Sequence, residues 1–178
     1  VGHLLYSRMW NNYLYDKGVV PCKEPFQKLV HQGMILGENG IKMGKRFPEF
    51  VVNPSDIVEE YGADTLRTYV LFMGDYGAAA PWNPSSVKGC KRFLDRVAGL
   101  TDMLADGEVT KELETKFHKA IKKVSSDIEE TKFNTAIACL MGLINDIYAV
   151  GSLTKAELGV FVKLLSPFAP HLCEEIWE

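Results

Sequence analysis

The sequence predicts a mainly α-helical protein in which a short α/β part precedes a bundle of helices. Apolar residues recur at helical spacing through most of the 178 residues. A short apolar run near residues 33–36, followed by glycines, is instead typical of a strand. The stretch DYGAAAPWN at residues 75–83 is turn-like. We therefore expect one part over residues 1–80 and a second over residues 81–178.

The first part contains three predicted helices around the strand. Residues 4–13 show the first helical pattern, and Gly18 ends it. A second helix is predicted to begin at Asn53, because asparagine followed by proline is a favoured helix start. Gly62 is expected to end this helix, and Asp64 to cap the third.

The second part reads as one helix after another. Asn83 with Pro84 predicts a helix start, Thr154 with Glu157 predicts a capping box, and Pro170 predicts a last start. The first of these helices carries an apolar stripe of Val87, Cys90, Leu94, Val97 and Leu104. Two further stripes are Phe117, Ile121, Val124 and Ile128, and then Phe133, Ile137, Leu140, Ile144 and Ile147. Such stripes on consecutive helices with short connections predict an up-and-down bundle.

Composition and cysteine spacing exclude several classes of protein. The net charge of −3 gives no overall signal for nucleic-acid binding, although one face can still be basic. Four cysteines without a C-x-x-C pair argue against a zinc site and against a disulfide framework. We expect Cys90 and Cys139 to be reduced core thiols in a cytoplasmic protein. No run of about 18 apolar residues occurs, so we expect no membrane partner.

The segment Lys42–Arg46, KMGKR, is the one stretch whose residue types indicate a chemical role. It places three cations within five residues, and glycines at Gly40 and Gly44 give the backbone freedom. Lysine is a compact charge that suits a loop closing over a polyanion. A simple solvated loop is the alternative that these residues alone leave open.

The surrounding sequence resembles the class I aminoacyl-tRNA synthetases. The segment GIKMGKRFPEFVVNPSDIVEEYGADTLRTYVLFMG is similar to their KMSKS loop and the helices that follow it. The upstream segment HLLYSRMWNNYLYDKGVVPCKEPFQKLVHQGMIL resembles the leucyl members in particular. Downstream, KFNTAIACLM and LLSPFAPHLCEEIWE resemble helices of the anticodon-binding domain. The resemblance covers nearly the whole chain.

This resemblance implies a fold and a chemistry. The first part would be the end of a Rossmann-like α/β catalytic domain, and the second an anticodon-binding helical bundle. The family loop binds ATP and stabilises the leaving pyrophosphate, a role that falls here on Lys42 and Lys45 within Lys42, Met43, Gly44, Lys45 and Arg46. Gly44 and Arg46 depart from the family pattern, which has serine at both positions. ATP with Mg²⁺ is the implied cofactor of the complete enzyme; none is expected on this segment, and no metal site is expected.

The resemblance also implies tRNA(Leu) as a partner, with leucine and ATP as substrates and no role for DNA. Lys88, Arg92 and Arg96 recur every four residues with Lys91 beside them, so they form one basic helical face. Cations on one face can follow RNA phosphates. The alternative is the ordinary solvated face of an amphipathic helix.

The chain is expected to be part of a longer protein, because both ends fall inside helical patterns. It has no H-x-G-H motif, the second ATP-binding motif of the family, so we expect no amino acid activation by this segment alone. Three other functions stay open: a non-catalytic tRNA-binding helical module, a structural protein built on the bundle, and a segment of an isoleucyl or valyl enzyme.

Overall fold

The computed structural model describes residues 2–107 and 111–178. The chain divides into two compact units, residues 1–31 and residues 32–178. The predicted boundary after residue 80 concerns catalytic and anticodon-binding domains, and it stays a prediction. The mainly α fold is confirmed, since eight α-helices, two short 3₁₀ segments and one pair of very short strands make up the regular structure of the described residues.

The first unit is a single helix with an irregular segment folded against it. Helix α1 spans Gly2–Asp16, and Gly18 follows it with φ 70°. The Nδ2 of Asn11 donates to the carbonyl oxygens of Cys22 and Lys23, at 2.9 and 2.8 Å. No residue of α1 is buried. The predicted helix is confirmed, but its apolar side chains find no core within this unit.

The second unit begins with a two-stranded parallel sheet. Strand β1 is Ile35–Leu36 and strand β2 is Ala80–Pro81, with Ile35 opposite Ala80 and Leu36 opposite Pro81. Gly33 lies so close to the opposite segment that an added Cβ would be 1.7 Å from the carbonyl oxygen of Ala78. Only glycine therefore allows this approach.

Two short helices connect the strands. Helix α2 spans Pro54–Tyr61 and helix α3 spans Ala63–Phe72. The side chain of Asn53 accepts a hydrogen bond from the amide of Ser55 at 3.3 Å, which confirms the predicted start of α2. Gly62, with φ 89°, ends α2 and begins α3, as predicted for the end of α2.

The bundle follows β2. Helices α4 Pro84–Ala98, α5 Lys111–Glu129, α6 Phe133–Val150, α7 Lys155–Leu165 and α8 Pro170–Trp177 form it. Its core contains 22 buried residues among those described, with α6 at the centre. The predicted starts at Asn83, Thr154 and Pro170 are confirmed, and Thr154 with Glu157 forms the full capping box.

Two expectations from the sequence, besides the cap expected at Asp64, were wrong in detail. The stretch at residues 75–83 is not only a turn, since it contains β2. Leu104 does not continue the stripe of α4, because a 3₁₀ turn, Gly99–Met103, follows that helix. Leu100 is buried in its place, and Leu104 is 44% exposed.

Helix α6 is long and apolar enough to cross a membrane by length and composition, and it is the one such helix in the described ranges. Its buried residues, among them Leu140, Ile144 and Ile147, face the bundle core. A central core helix meets the same criteria, and this position accounts for its composition.

Candidate functional site

The basic segment is held at the carboxyl end of β1 by a tight reversal of the chain. The amide of Gly37 donates to the carbonyl of Ile41 at 2.9 Å, and the amide of Gly40 donates to the carbonyl of Gly37 at 2.9 Å. Gly40 has φ 73°, a left-handed conformation that favours glycine. Lys42 then forms an antiparallel bridge with Leu36. The first lysine of the loop is thus fixed next to the strand end.

One residue anchors the middle of the loop while its cations stay in solvent. Met43 is half-buried and packs against the buried cluster of Tyr69, Trp82, Val87 and Cys90. Lys42, Lys45 and Arg46 are exposed on either side of this anchor. Within residues 2–107 and 111–178, no carboxylate pairs with any of the three. Three uncompensated positive charges at one strand end form a surface suited to a polyanion.

The positions that depart from the family pattern have different surroundings. A Cβ placed on Gly44 would meet no atom within 4 Å, so packing does not require glycine there. The guanidinium carbon of Arg46 lies 5.4 Å from the ring centre of Phe47, and the amide of Phe47 donates to the carbonyl of Gly44 at 3.1 Å. Arg46 therefore has a local aromatic support that a serine would not use.

A small, partly aromatic cluster packs against the loop residue Met43 and supports the loop. Tyr69 and Trp82 meet edge to face with ring centres 4.8 Å apart, and Val87 and Cys90 complete the buried set. The hydroxyl oxygen of Tyr69 accepts a hydrogen bond from the amide of Asn83 at 2.8 Å. Burial raises the pKa of the Tyr69 phenol. The hydroxyl is therefore neutral at pH 7 and acts as a fixed structural group.

The two buried cysteines, Cys90 and Cys173, are core thiols, as the sequence predicted for Cys90. Burial raises the pKa of Cys90 to about 11 and that of Cys173 to about 12. Both stay protonated at neutral pH, so neither is a nucleophile. Cys139 is only half-buried, and its pKa is also raised by burial. No disulfide forms among the four cysteines, all of which are described.

The four cations predicted on one face of α4 differ in what they contact. Lys91 pairs with Asp95 one turn later on the same helix. The Nη1 of Arg96 donates to Oδ1 of Asn145 at 2.7 Å, and its guanidinium carbon lies 4.5 Å from the centre of the Tyr148 ring. Lys91 therefore forms an ion pair within α4, and Arg96 connects α4 to α6.

Lys88 and Arg92 are the exposed members of this face. Neither has an ion-pair or hydrogen-bond partner among the described residues. These two are the cations of the four that remain available to an RNA phosphate without first breaking a contact.

Asp64 has a role that the sequence interpretation missed. It does not cap α3, because the start of α3 has no side-chain cap. Its carboxylate is buried and accepts from the amide of Leu172 at 2.7 Å, while Nδ1 of His171 lies 2.8 Å from the other oxygen. Asp64 therefore caps α8. No local pattern reveals this pairing, because 107 residues separate the aspartate from the histidine.

No group of three metal-binding side chains exists in the described ranges. The loop itself offers cations, whereas Mg²⁺ prefers oxygen ligands. The described residues around the loop therefore do not fit a resident Mg²⁺, and any Mg²⁺ at this loop would arrive with a phosphate ligand.

Two family models match the sequence. Residues 9–83 match "tRNA synthetases class I (I, L, M and V)", and residues 110–178 match "Anticodon-binding domain of tRNA ligase". A leucine–tRNA ligase from Alkaliphilus oremlandii (strain OhILAs) is 55% identical over 177 residues. That alignment covers 99% of this chain and 22% of the relative.

Solved structures agree with these matches. A LeuRS from Agrobacterium radiobacter K84, crystallised in a ternary complex with tRNA and LeuAMS, superposes with a TM-score of 0.78 at 33% identity. The match covers 98% of this chain and 25% of that one. The methionyl-tRNA synthetase of Mycobacterium tuberculosis, in complex with methionyl-adenylate, superposes with a TM-score of 0.65 at 14% identity, covering 95% and 40% of the two chains. The second likeness shows the shared fold alone.

Proposed function

Because this chain belongs to the class I tRNA synthetases and, within them, to the leucyl-tRNA synthetases, we propose that it supplies the phosphate-binding loop and part of the tRNA-binding bundle of a leucine–tRNA ligase. The chain spans about a quarter or less of the length of the leucyl relatives that it matches. The complete reaction therefore needs regions outside these residues. We place that reaction in the cytoplasm.

The proposed reaction begins with leucine and the Mg²⁺ complex of ATP. The carboxylate of leucine attacks the α-phosphorus, the bond to the bridging oxygen breaks, and pyrophosphate leaves with the electron pair. Negative charge grows on the leaving group during this step. Lys42 and Lys45 stabilise that charge, and stabilisation restricted to the transition state accelerates the reaction. The leucyl group of leucyl-adenylate then passes to tRNA(Leu).

The observation that carries this proposal is the solvent exposure and the charge environment of the two loop lysines. Lys42 and Lys45 are exposed at the carboxyl end of β1 and have no carboxylate partner among the described residues. Ligands of open α/β sheets bind at the carboxyl ends of the strands. Two free cations at this position favour a phosphate ligand over a purely structural role.

The tRNA partner is supported by a separate surface. Lys88 and Arg92 are exposed cations on α4, at the start of the bundle. The Agrobacterium relative was crystallised with tRNA. We propose that these two residues contact phosphates of tRNA(Leu), whereas Lys91 and Arg96 mainly maintain the structure of α4.

Amino acid-dependent ATP–pyrophosphate exchange tests the proposal in the full-length protein. We expect exchange with leucine and much weaker exchange with isoleucine, valine or methionine. Exchange led by isoleucine or valine would keep the reaction and replace the substrate. No exchange with any of them, together with salt-sensitive tRNA binding, would favour the non-catalytic tRNA-binding module. Absence of both activities would favour a structural protein.

A further inference from the structure

Helix α3 connects the loop support to the bundle, and its first turn is bound by a distant segment. The carboxylate of Asp64 is buried, with its residue 9% exposed. One oxygen accepts the amide of Leu172 at 2.7 Å, and the other lies 2.8 Å from Nδ1 of His171. The residue before α8, Ala169, has no side-chain acceptor of its own. A side chain of α3 therefore completes the start of α8.

A second side chain of α3 binds the same segment one turn later. The Nη2 of Arg67 donates to the carbonyl oxygen of Pro167 at 3.2 Å. Between the two contacts, Phe168 and Ala169 are buried in the bundle core. The segment 167–172 is thus fixed on one side by the core and on the other by Asp64 and Arg67.

The rest of α3 belongs to the support of the loop. Leu66 packs in the same cluster as Met43, the residue that anchors the loop. Tyr69 packs against Trp82 and receives the amide of Asn83, where α4 begins. One helix of 10 residues therefore contributes to the cluster that holds the loop anchor and also contacts the start of α8. A rigid helix in this position sets the distance between the two.

We propose that Asp64 and Arg67 are positioning residues, which fix the tRNA-binding bundle relative to the phosphate-binding loop. This inference rests on the proposed function. Formation of the adenylate needs the loop and its own support, which the two contacts do not touch. Transfer to tRNA also needs the bundle in register with the catalytic region. Loss of either contact should therefore reduce transfer far more than activation, because small misplacements of a bound substrate are costly.

The test compares two reactions in the full-length protein carrying Asp64→Ala or Arg67→Met. We expect kcat/KM for aminoacylation of tRNA(Leu) to fall about tenfold or more in both variants. Leucine-dependent ATP–pyrophosphate exchange, measured without tRNA, should stay within about twofold of wild type. Asp56→Ala is the matched control, since it removes a first-turn carboxylate of α2 whose side-chain partner is the nearby Asn53. The control should change neither reaction.

Two results would overturn the inference: an equal fall in both reactions, which indicates general damage to the fold, or unchanged aminoacylation in both variants. Arg67 is exposed, so Arg67→Met decides the matter if Asp64→Ala does not fold. A wild-type protein without leucine-dependent exchange would contradict the proposed function instead. The two failures are therefore distinguishable.

Discussion

The second unit contains two cores of very different size, and the loop with the proposed chemistry packs against the smaller one. The bundle core has 22 buried residues among those described, whereas Tyr69, Trp82, Val87 and Cys90 alone form the buried part of the cluster under the loop. Elements with few buried contacts open at lower free energy than a large core does. The difference indicates a stable bundle that carries a lightly supported, adjustable loop.

A lightly supported loop suits its proposed work. The cations of Lys42–Arg46 would have to follow phosphates whose charge and position change during the reaction. The bridge between Lys42 and Leu36 and the packing of Met43 hold one end of the loop, and the exposed residues after Met43 are free to adjust. Substitutions in the bundle core should therefore mainly lower the stability of the whole bundle. Substitutions in the cluster under the loop should have smaller effects, mainly on the loop.

The largest expected effect is loss of stability after truncation in the bundle core. Leu140→Ala leaves a cavity around a fully buried side chain and should lower the free energy of unfolding by about 3 kcal/mol. Urea denaturation of the 178-residue chain measures this. Leu5→Ala, at a leucine that is 65% exposed, is the control and should change it by less than about 0.5 kcal/mol. An equal fall in the free energy of unfolding for both variants would contradict the claim that the bundle core contributes more stability than the exposed helix α1.

A smaller effect is expected in the cluster under the loop. Tyr69→Phe removes the acceptor of the Asn83 amide and should lower the stability of the cluster against which Met43 packs by about 1 kcal/mol. Limited trypsin digestion should then cut after Lys42 or Lys45 about fivefold faster than in wild type. Tyr148→Phe removes a hydroxyl that donates to the carbonyl of Arg96 within the bundle. If this control accelerates loop cleavage equally, the cluster is not the specific support of the loop.

The smallest expected effect is a loss of stability at low pH, and it concerns Asp127, next to the turn between α5 and α6. Burial acts to raise the pKa of Asp127, but hydrogen bonds from Lys123 and Thr135, together with the positive charges of Lys123 and Lys132, outweigh it and lower the pKa below its usual 3.8. The unfolded chain therefore binds this proton more readily. The resulting stability is present above about pH 4 and is lost as the pH falls through the lower, folded-state pKa.

Comparison with Asp127→Asn isolates this contribution. Wild type should have the higher melting temperature at pH 7, and the difference should shrink below about pH 4 as the carboxylate is protonated. A difference that stays constant down to pH 2 would show that the charge of Asp127 does not stabilise the turn.

The local parts of this fold were predictable from the sequence, because their causes lie within a few residues. The starts at Asn53, Asn83 and Thr154 depend on side-chain caps two or three residues away. The helical stripes were predictable for the same reason. Leu104 was placed wrongly because a 3₁₀ turn after α4 changes the rotation of the chain.

The long-range parts were not predictable. Strand β2 has two residues and contains a proline, and its pairing with Ile35 lies 45 positions away in sequence. Asp64 finds its partners more than a hundred residues later. For the candidate site, the cations of the loop were visible as a pattern. Their lack of carboxylate partners and the anchor at Met43 depend on tertiary packing, which one sequence does not contain.

Leucine-dependent ATP–pyrophosphate exchange by Lys45→Ala in the full-length protein tests the central claim most directly. If the loop stabilises the leaving pyrophosphate, the rate should fall on the order of a hundredfold, equivalent to about 3 kcal/mol, with little change in leucine affinity. Lys119→Ala is the matched control, because it removes one exposed positive charge from α5 and should leave the exchange unchanged. An unchanged rate in Lys45→Ala would contradict the account, since the loop would then have no role in holding the phosphates.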